Sequence, residues 1–170
     1  MRPSPIVYQL DPYLFEERTS LGTMTLFYTG VTRLAKRLLA EVVERVNAQD
    51  PAYLFTHDCL KRLAREAQAA IGLRERLTLA DVLDASFREN VLIHESTTNP
   101  DMDRLIARTS AHYRGMKLLG AGGGGFALFI SETPADADRL RELLRKEFED
   151  ERARLVDFTL NKVGLEVTVS

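Results

Sequence analysis

The sequence predicts an α+β fold. Short runs rich in β-branched and aromatic residues stand near both ends of the chain, and segments of helical period cluster between them. Strand and helix do not alternate in the regular way that builds a parallel doubly wound sheet. At 170 residues the chain suits one globular domain, or one lobe of a larger protein, and residues 1–170 read as a single unit with no internal repeat or dividing linker.

Ile6 to Leu10 and Met24 to Thr29 (MTLFYT) read as strands joined by a polar stretch. At Val31 the period changes. Val31, Leu34, Ala35, Leu38, Leu39, Val42, Val43 and Val46 recur at helical spacing, and Arg33, Lys36, Arg37, Glu44 and Arg45 take the other side. A second helix spans about Pro51 to Ile71, with Leu60, Leu63, Ala64, Ala67 and Ile71 inward and Gly72 as its stop. A third begins at Thr78, a capping residue with Asp81 in the following turn, and continues through Val82, Leu83, Phe87 and Val91. Asn99-Pro100-Asp101 supplies a cap, a proline at the first helical position and an early acid, and so opens a fourth helix with Met102, Leu105 and Ile106 inward. Met116 to Leu119 leads into a glycine loop and Phe126 to Ser131 leaves it as a strand. Thr133, Pro134 and Asp136 start a fifth helix whose inner stripe is Ala137, Leu140, Leu144 and Phe148. Leu155 to Leu160, a turn at Asn161 to Gly164 and the alternating Leu165 to Val169 predict a closing β-hairpin.

Composition narrows the function classes. A net charge of −2 offers no electrostatic case for binding nucleic acid or a membrane surface, and neither is expected as a partner. No apolar run approaches the ~18 residues that cross a bilayer, and the first twenty residues lack a continuous apolar signal core, so a cytoplasmic location is expected. Cys59 is the sole cysteine; no internal disulfide or cysteine-based zinc site can form, and it reads as a packed residue. His57 and His112 have no companions at metal-ligand spacing. His94 and Asn90 fall on the apolar stripe of the third helix, where a hydrogen-bonded core or interface role fits them.

The segment KLLGAGGGGFALFI, Lys117 to Ile130, holds the chemistry. Gly120-Ala121-Gly122-Gly123-Gly124-Gly125 formally fits G-x-G-x-x-G, but a dinucleotide fingerprint needs a helix at its third glycine and FALFI reads as a strand. A phosphate loop of the Walker type needs Lys and Ser or Thr after its last glycine, where Phe126 and Ala127 stand. Two readings remain open. The glycines form a permissive hairpin turn, or they let backbone pass close to something that tolerates no Cβ, with N–H groups facing an anion or another loop. Five glycines in six positions exceed what a turn needs, and each costs ~0.5–1 kcal/mol more to order than alanine in regular structure.

KLLGAGGGGFALFI resembles the third motif of the GHMP kinases, the superfamily named for galactokinase, homoserine kinase, mevalonate kinase and phosphomevalonate kinase. LFYTGVTRLAKRLLAEVV (Leu26 to Val43), STTNP (Ser96 to Pro100) and RARLVDFTLNKVGLEVTVS (Arg152 to Ser170) are similar to the L-fucokinase branch, which includes the kinase half of bifunctional fucokinase/GDP-fucose pyrophosphorylases. Heptose 7-phosphate kinases share the TGxxR and KLLGAGGGGF elements. The resemblance covers nearly the whole chain and implies a ferredoxin-like C-terminal lobe, an antiparallel sheet elaborated with helices. In such kinases a loop of the type P-x-x-x-G-L-G-S-S-A in an N-terminal lobe wraps the ATP phosphates; no segment of this sequence matches it, so that lobe is expected as a partner.

The resemblance further implies phosphoryl transfer from ATP, with Mg²⁺, to a sugar hydroxyl, both cofactors being held mainly by the N-terminal lobe, and it places no catalytic residue in this chain. It sets Gly120, Ala121, Gly122, Gly123, Gly124 and Gly125 beside the phosphate loop of that lobe, where a Cβ would push the two loops apart, and Lys117 near phosphate or carboxylate. Lys117 is otherwise a solvated strand lysine. Thr29 and Arg33, at the start of the first long helix, suit an anion or a sugar hydroxyl; the alternatives are an N-cap and a surface charge. Thr97, Thr98 and Asn99 border the implied sugar site, Asn99 being equally explained as a helix cap. An isolated lobe would expose the surface its partner covers, which would allow pairing with a second copy. The competing reading is a non-catalytic binding module of the same fold.

Overall fold

The computed structural model describes residues 9–31, 36–120, 122–147 and 152–162. Four strands form one antiparallel sheet in the order β2-β3-β1-β4: β1 (Met24–Tyr28), β2 (Gly115–Leu118), β3 (Phe126–Ile130) and β4 (Arg154–Val156). β3 pairs with both β1 and β2, Thr25 opposite Phe129 and Met116 opposite Phe129, while β4 adds to the free side of β1 through Phe27 opposite Leu155. β1 and β2 thus flank β3 and are joined through helices, and β3 and β4 flank β1 and are joined by one helix, two interleaved split units that define the ferredoxin-like arrangement.

The helices form where the caps place them. The polar stretch expected before β1 holds a short helix, α1 (Arg18–Gly22), because the Glu17 carboxylate accepts the N–H groups of Thr19 and Ser20 and so replaces the two missing turn partners. α2 is described over Lys36–Asn47; Val31, the expected start, is described and is not helical, and Arg33, Leu34 and Ala35 lie outside the described residues. α3 (Pro51–Gly72) begins on Asp50, which caps Ala52 and Tyr53, and it ends at Gly72 as expected; the left-handed residue lies two positions further on, at Arg74 with φ 61°. Ala64, expected inward, is exposed; the helix buries Tyr53, Thr56, Leu63 and Ala70.

α4 (Arg76–Ile93) starts two residues before the expected Thr78, whose hydroxyl donates back to Glu75 inside the first turn. Asp81 turns outward to grip the Arg114 guanidinium with both oxygens and so ties α4 to the start of β2. α5 (Pro100–Thr109) opens as expected: Asn99 accepts from Asp101 and Met102, and Met102 and Leu105 are buried. α6 (Pro134–Glu147) opens on Thr133, whose hydroxyl accepts Asp136 N–H and donates to the Asp136 carboxylate, and Ala137, Leu140 and Leu144 are fully buried. Phe148, Ile6 to Tyr8 and Leu165 to Val169 lie outside the described residues; of the expected closing hairpin, Arg154–Val156 is seen as a strand and the sequence to Lys162 continues without one.

Side-chain alternation divides the core. Phe27, Ala127, Phe129, Met116 and Leu118 gather with Met102 and Leu105 of α5 and with Leu140 and Leu144 of α6. Met24 and Ile130, a pleat away, gather instead with Leu14, with Ala70 of α3, and with Leu79 and Ala80 of α4. Each side chain of this size gains about 1.5–3 kcal/mol from full burial, so the sheet is fixed from two sides and its loops inherit that rigidity. The α3–α4 layer comes so close that a Cβ at Gly115 would lie 1.9 Å from the Ala80 carbonyl oxygen. Gly115→Ala should therefore destabilise the fold by about 1–3 kcal/mol through overpacking, read as a lower urea midpoint; an unchanged midpoint would show that α4 is free to move off the sheet.

Candidate functional site

The glycine loop sits where the sheet ends. Leu119 N–H donates to the Phe126 carbonyl (2.8 Å) and Thr29 N–H to the Gly125 carbonyl (2.9 Å), so strand pairing continues one step beyond β1, β2 and β3 before the chain opens out. From there the loop is stitched to two other segments. Gly123 N–H donates to the Thr97 carbonyl (2.6 Å), Asn99 Nδ2 donates to the Gly123 carbonyl (3.2 Å), and Gly125 N–H donates to the Val31 carbonyl (2.8 Å). Three stretches separated by tens of residues therefore form one site: Thr29-Gly30-Val31, Thr97-Thr98-Asn99 and residues 120–125.

The glycines are required for two reasons. Gly120, Gly122, Gly123, Gly124 and Gly125 all take positive φ, from 73° to 150°, where a Cβ is strained. At two of them there is also no room: a Cβ on Gly122 would lie 2.7 Å from Thr97 Cγ2 and 2.9 Å from its carbonyl oxygen, and one on Gly124 would lie 2.7 Å from the Val31 carbonyl oxygen. The crowding neighbours at 122 and 124 thus belong to this chain. Gly120 and Gly125 differ, with nothing within 4 Å of an added Cβ. Among the described residues the N–H groups of Gly120, Gly122 and Gly124 take no partner.

The other expected site residues divide similarly. Thr29 is 1% exposed, and its hydroxyl accepts weakly from Val31 N–H (3.4 Å). Thr98 is half-buried and donates to Asp103 Oδ1 (2.6 Å); Asn99 caps α5 and holds Gly123 with the same amide. Lys117 donates through Nζ to Ser86 Oγ of α4 (2.8 Å), and partial burial lowers its pKa from the ordinary lysine value. Arg33 and Ala121 lie outside the described residues. His57, Cys59 and His112 join no metal-ligand cluster among the described residues.

Sequence reasoning missed the rim of this site. Tyr28 and Phe126, opposite one another on β1 and β3, bring their rings to 5.1 Å, Arg154 lies 5.0 Å over the Tyr28 ring, and Leu119 and Phe126 are each 39% exposed. It also missed Glu41, which bonds to His94, and it put His94 inside a helix that ends one residue earlier. No helix among the described residues is long and apolar enough to cross a membrane.

No family model matches the chain. The L-fucokinase/L-fucose-1-P guanylyltransferase of Bacteroides fragilis is 30% identical over 98% of this chain and 18% of its own length. The D-glycero-alpha-D-manno-heptose 7-phosphate kinase of Campylobacter jejuni is 30% identical over 82% of this chain and 40% of its own. In structure, L. major mevalonate kinase in complex with R-mevalonate covers 78% of the chain with a TM-score of 0.65 at 16% identity, a likeness of fold, and the chain covers 40% of it. The fold and these relatives match the C-terminal domain of GHMP-type kinases. Within that class its relatives in sequence are fucokinases and a heptose 7-phosphate kinase, and it spans less than half the length of each relative compared.

The double use of Asn99 can be tested. Asn99→Asp keeps the α5 cap and removes only the donor to Gly123, so it should cost about 1 kcal/mol. Asn99→Ala loses both functions and should cost about 1–2 kcal/mol for the cap alone. Thermal unfolding orders the two; an unchanged midpoint in Asn99→Asp would mean that the Gly123 contact contributes nothing, and equal losses that the cap does not.

Proposed function

We propose that this chain is the C-terminal lobe of an ATP-dependent sugar kinase and works with an N-terminal lobe that holds most of the nucleotide. The favoured reaction is transfer of the γ-phosphoryl group to the anomeric hydroxyl of L-fucose. The observation that carries the reading is the glycine loop itself, a backbone shelf with three N–H groups that take no partner among the described residues and two glycines with open space at the Cβ position. N–H groups on left-handed backbone suit phosphate oxygens, and phosphoryl transfer needs positioning and charge stabilisation more than covalent chemistry from the protein.

Each part has a stated task. Gly122, Gly123 and Gly124 give the shelf its shape through Thr97, Asn99 and Val31, while Gly120 and Gly125 let the phosphate loop of the other lobe approach. Bound ATP supplies the phosphoryl group and brings Mg²⁺ with it; the shelf N–H groups of this chain fit the nucleotide's phosphates, and no cluster of acidic or histidine side chains among the described residues fits a metal. Leu119, Phe126 and Tyr28 form an apolar border suited to the partner lobe, and Thr98 lies on the side proposed for the sugar. With these roles the enzyme is placed in the cytoplasm, where ATP is available. Similarity to the Bacteroides protein over 98% of the chain and the STTNP segment favour fucose; the Campylobacter relative makes heptose 7-phosphate the competing substrate.

The test uses the full-length protein with ATP, Mg²⁺ and a panel of sugars. Phosphorylation of L-fucose is expected; product on the heptose phosphate alone would move the assignment, and product on neither would end the kinase reading. Gly125→Asn tests the shelf, because asparagine tolerates the left-handed backbone and nothing in this chain crowds its Cβ. The variant should lower turnover at least about tenfold, a barrier change of ~1.4 kcal/mol, while the unfolding midpoint moves little. Full turnover would show that no partner loop approaches there.

A further inference from the structure

His94 stands between two walls of the site. It follows the last residue of α4 and turns extended, with φ −156° and ψ 129°. From that position one ring nitrogen, Nδ1, accepts the Ser96 N–H at 3.0 Å and lies 2.6 Å from Ser96 Oγ, while Nε2 lies 2.5 Å from Glu41 Oε2 on α2. A backbone N–H aimed at Nδ1 requires a lone pair there, so the proton resides on Nε2 and is donated to Glu41. The ring is only 15% exposed.

Each side of the ring leads to the glycine loop. On one side, the 95–97 turn that His94 caps also takes Thr97 N–H onto the His94 carbonyl and the Thr97 hydroxyl onto the Asn90 carbonyl; the Thr97 carbonyl, so oriented, accepts Gly123 N–H. On the other side, Glu41 belongs to α2, the helix that follows Val31, and the Val31 carbonyl accepts Gly125 N–H. None of the side chains described on α2, residues 40–47, is fully buried, and Val43 is 57% exposed; Arg45 lies 5.6 Å over the ring of the buried Tyr53 of α3. A polar link from Glu41 to a nearly enclosed ring is a further anchor for this stretch.

We propose that His94 is a positioning residue that couples α2 to the glycine loop, its two ring nitrogens holding Glu41 and the Ser96–Thr97 turn at once. The consequence for catalysis rests on the kinase reading above; the coupling itself does not. A loop held at Gly123 and Gly125 by segments that His94 locks together keeps its N–H groups aimed at one place.

The experiment measures amide hydrogen exchange and steady-state kinetics on the full-length protein and its variants. Glu41→Ala and His94→Asn both cut the link to α2, the second leaving an oxygen near the Nδ1 position to cap Ser96. Each should speed exchange at Gly123 and across α2 about tenfold. Glu41→Gln, which still accepts from Nε2–H, should restore protection, and the double variant Glu41→Ala/His94→Asn should be no worse than either single one. In the sugar kinase assay, His94→Asn should lower kcat about tenfold with KM within about twofold, the signature of lost positioning. Unchanged exchange at Gly123 in Glu41→Ala and His94→Asn, or full additivity in the double variant, would overturn the coupling even in an active kinase. An inactive wild-type protein that still showed the coupled exchange would overturn the kinase reading alone.

Discussion

The carbonyl groups of Thr97 and Val31 face the glycine loop from two sides and receive the N–H groups of Gly123 and Gly125. Approach that close leaves no volume for a Cβ at Gly122 or Gly124, and the same bonds fix the φ values that only glycine adopts without strain. The shape of the loop is thus set by backbone against backbone. Side chains then reinforce it: Asn99 joins the loop to the cap of α5, and His94 joins the turn before it to α2.

Beneath the shelf the sheet is packed. Phe129 and Ala127 of β3 are fully buried on one face, and Ile130 is fully buried on the other, so the strand that leaves the loop is anchored from Ala127 onward. Arg141 extends this at the far end of the sheet, donating to the carbonyls of Gly22 and Met24 and clamping α6 to the start of β1. Exposure rises again only at the loop end, where Leu119 and Phe126 stand open beside Tyr28 and Arg154. A buried sheet that ends in bare backbone and an apolar rim is the form expected of half a cleft.

Much of this could be read in advance. The α5 start was legible because cap, proline and acid lie in consecutive positions, and α6 because Thr133 and Asp136 are spaced for an N-cap. α1 was not, since its cap is a glutamate ahead of a helix only five residues long, too short to show a period. The stop of α3 at Gly72 was legible, but the left-handed turn after it was not, because an arginine, Arg74, takes that conformation. Ala64 was put inside on periodicity, which marks a stripe without saying which part of it has a neighbour.

For the site, the composition of residues 117–130 and the STTNP segment by themselves singled out segments that the structure brings together, because glycine runs and capping dipeptides carry local geometry. Which segments touch was decided by the tertiary structure alone. Thr97 meets Gly123, Glu41 meets His94 and Lys117 turns to Ser86 because sheet order β2-β3-β1-β4 and the packing of α4 bring them together, and no local pattern encodes a contact across 26 or 53 positions.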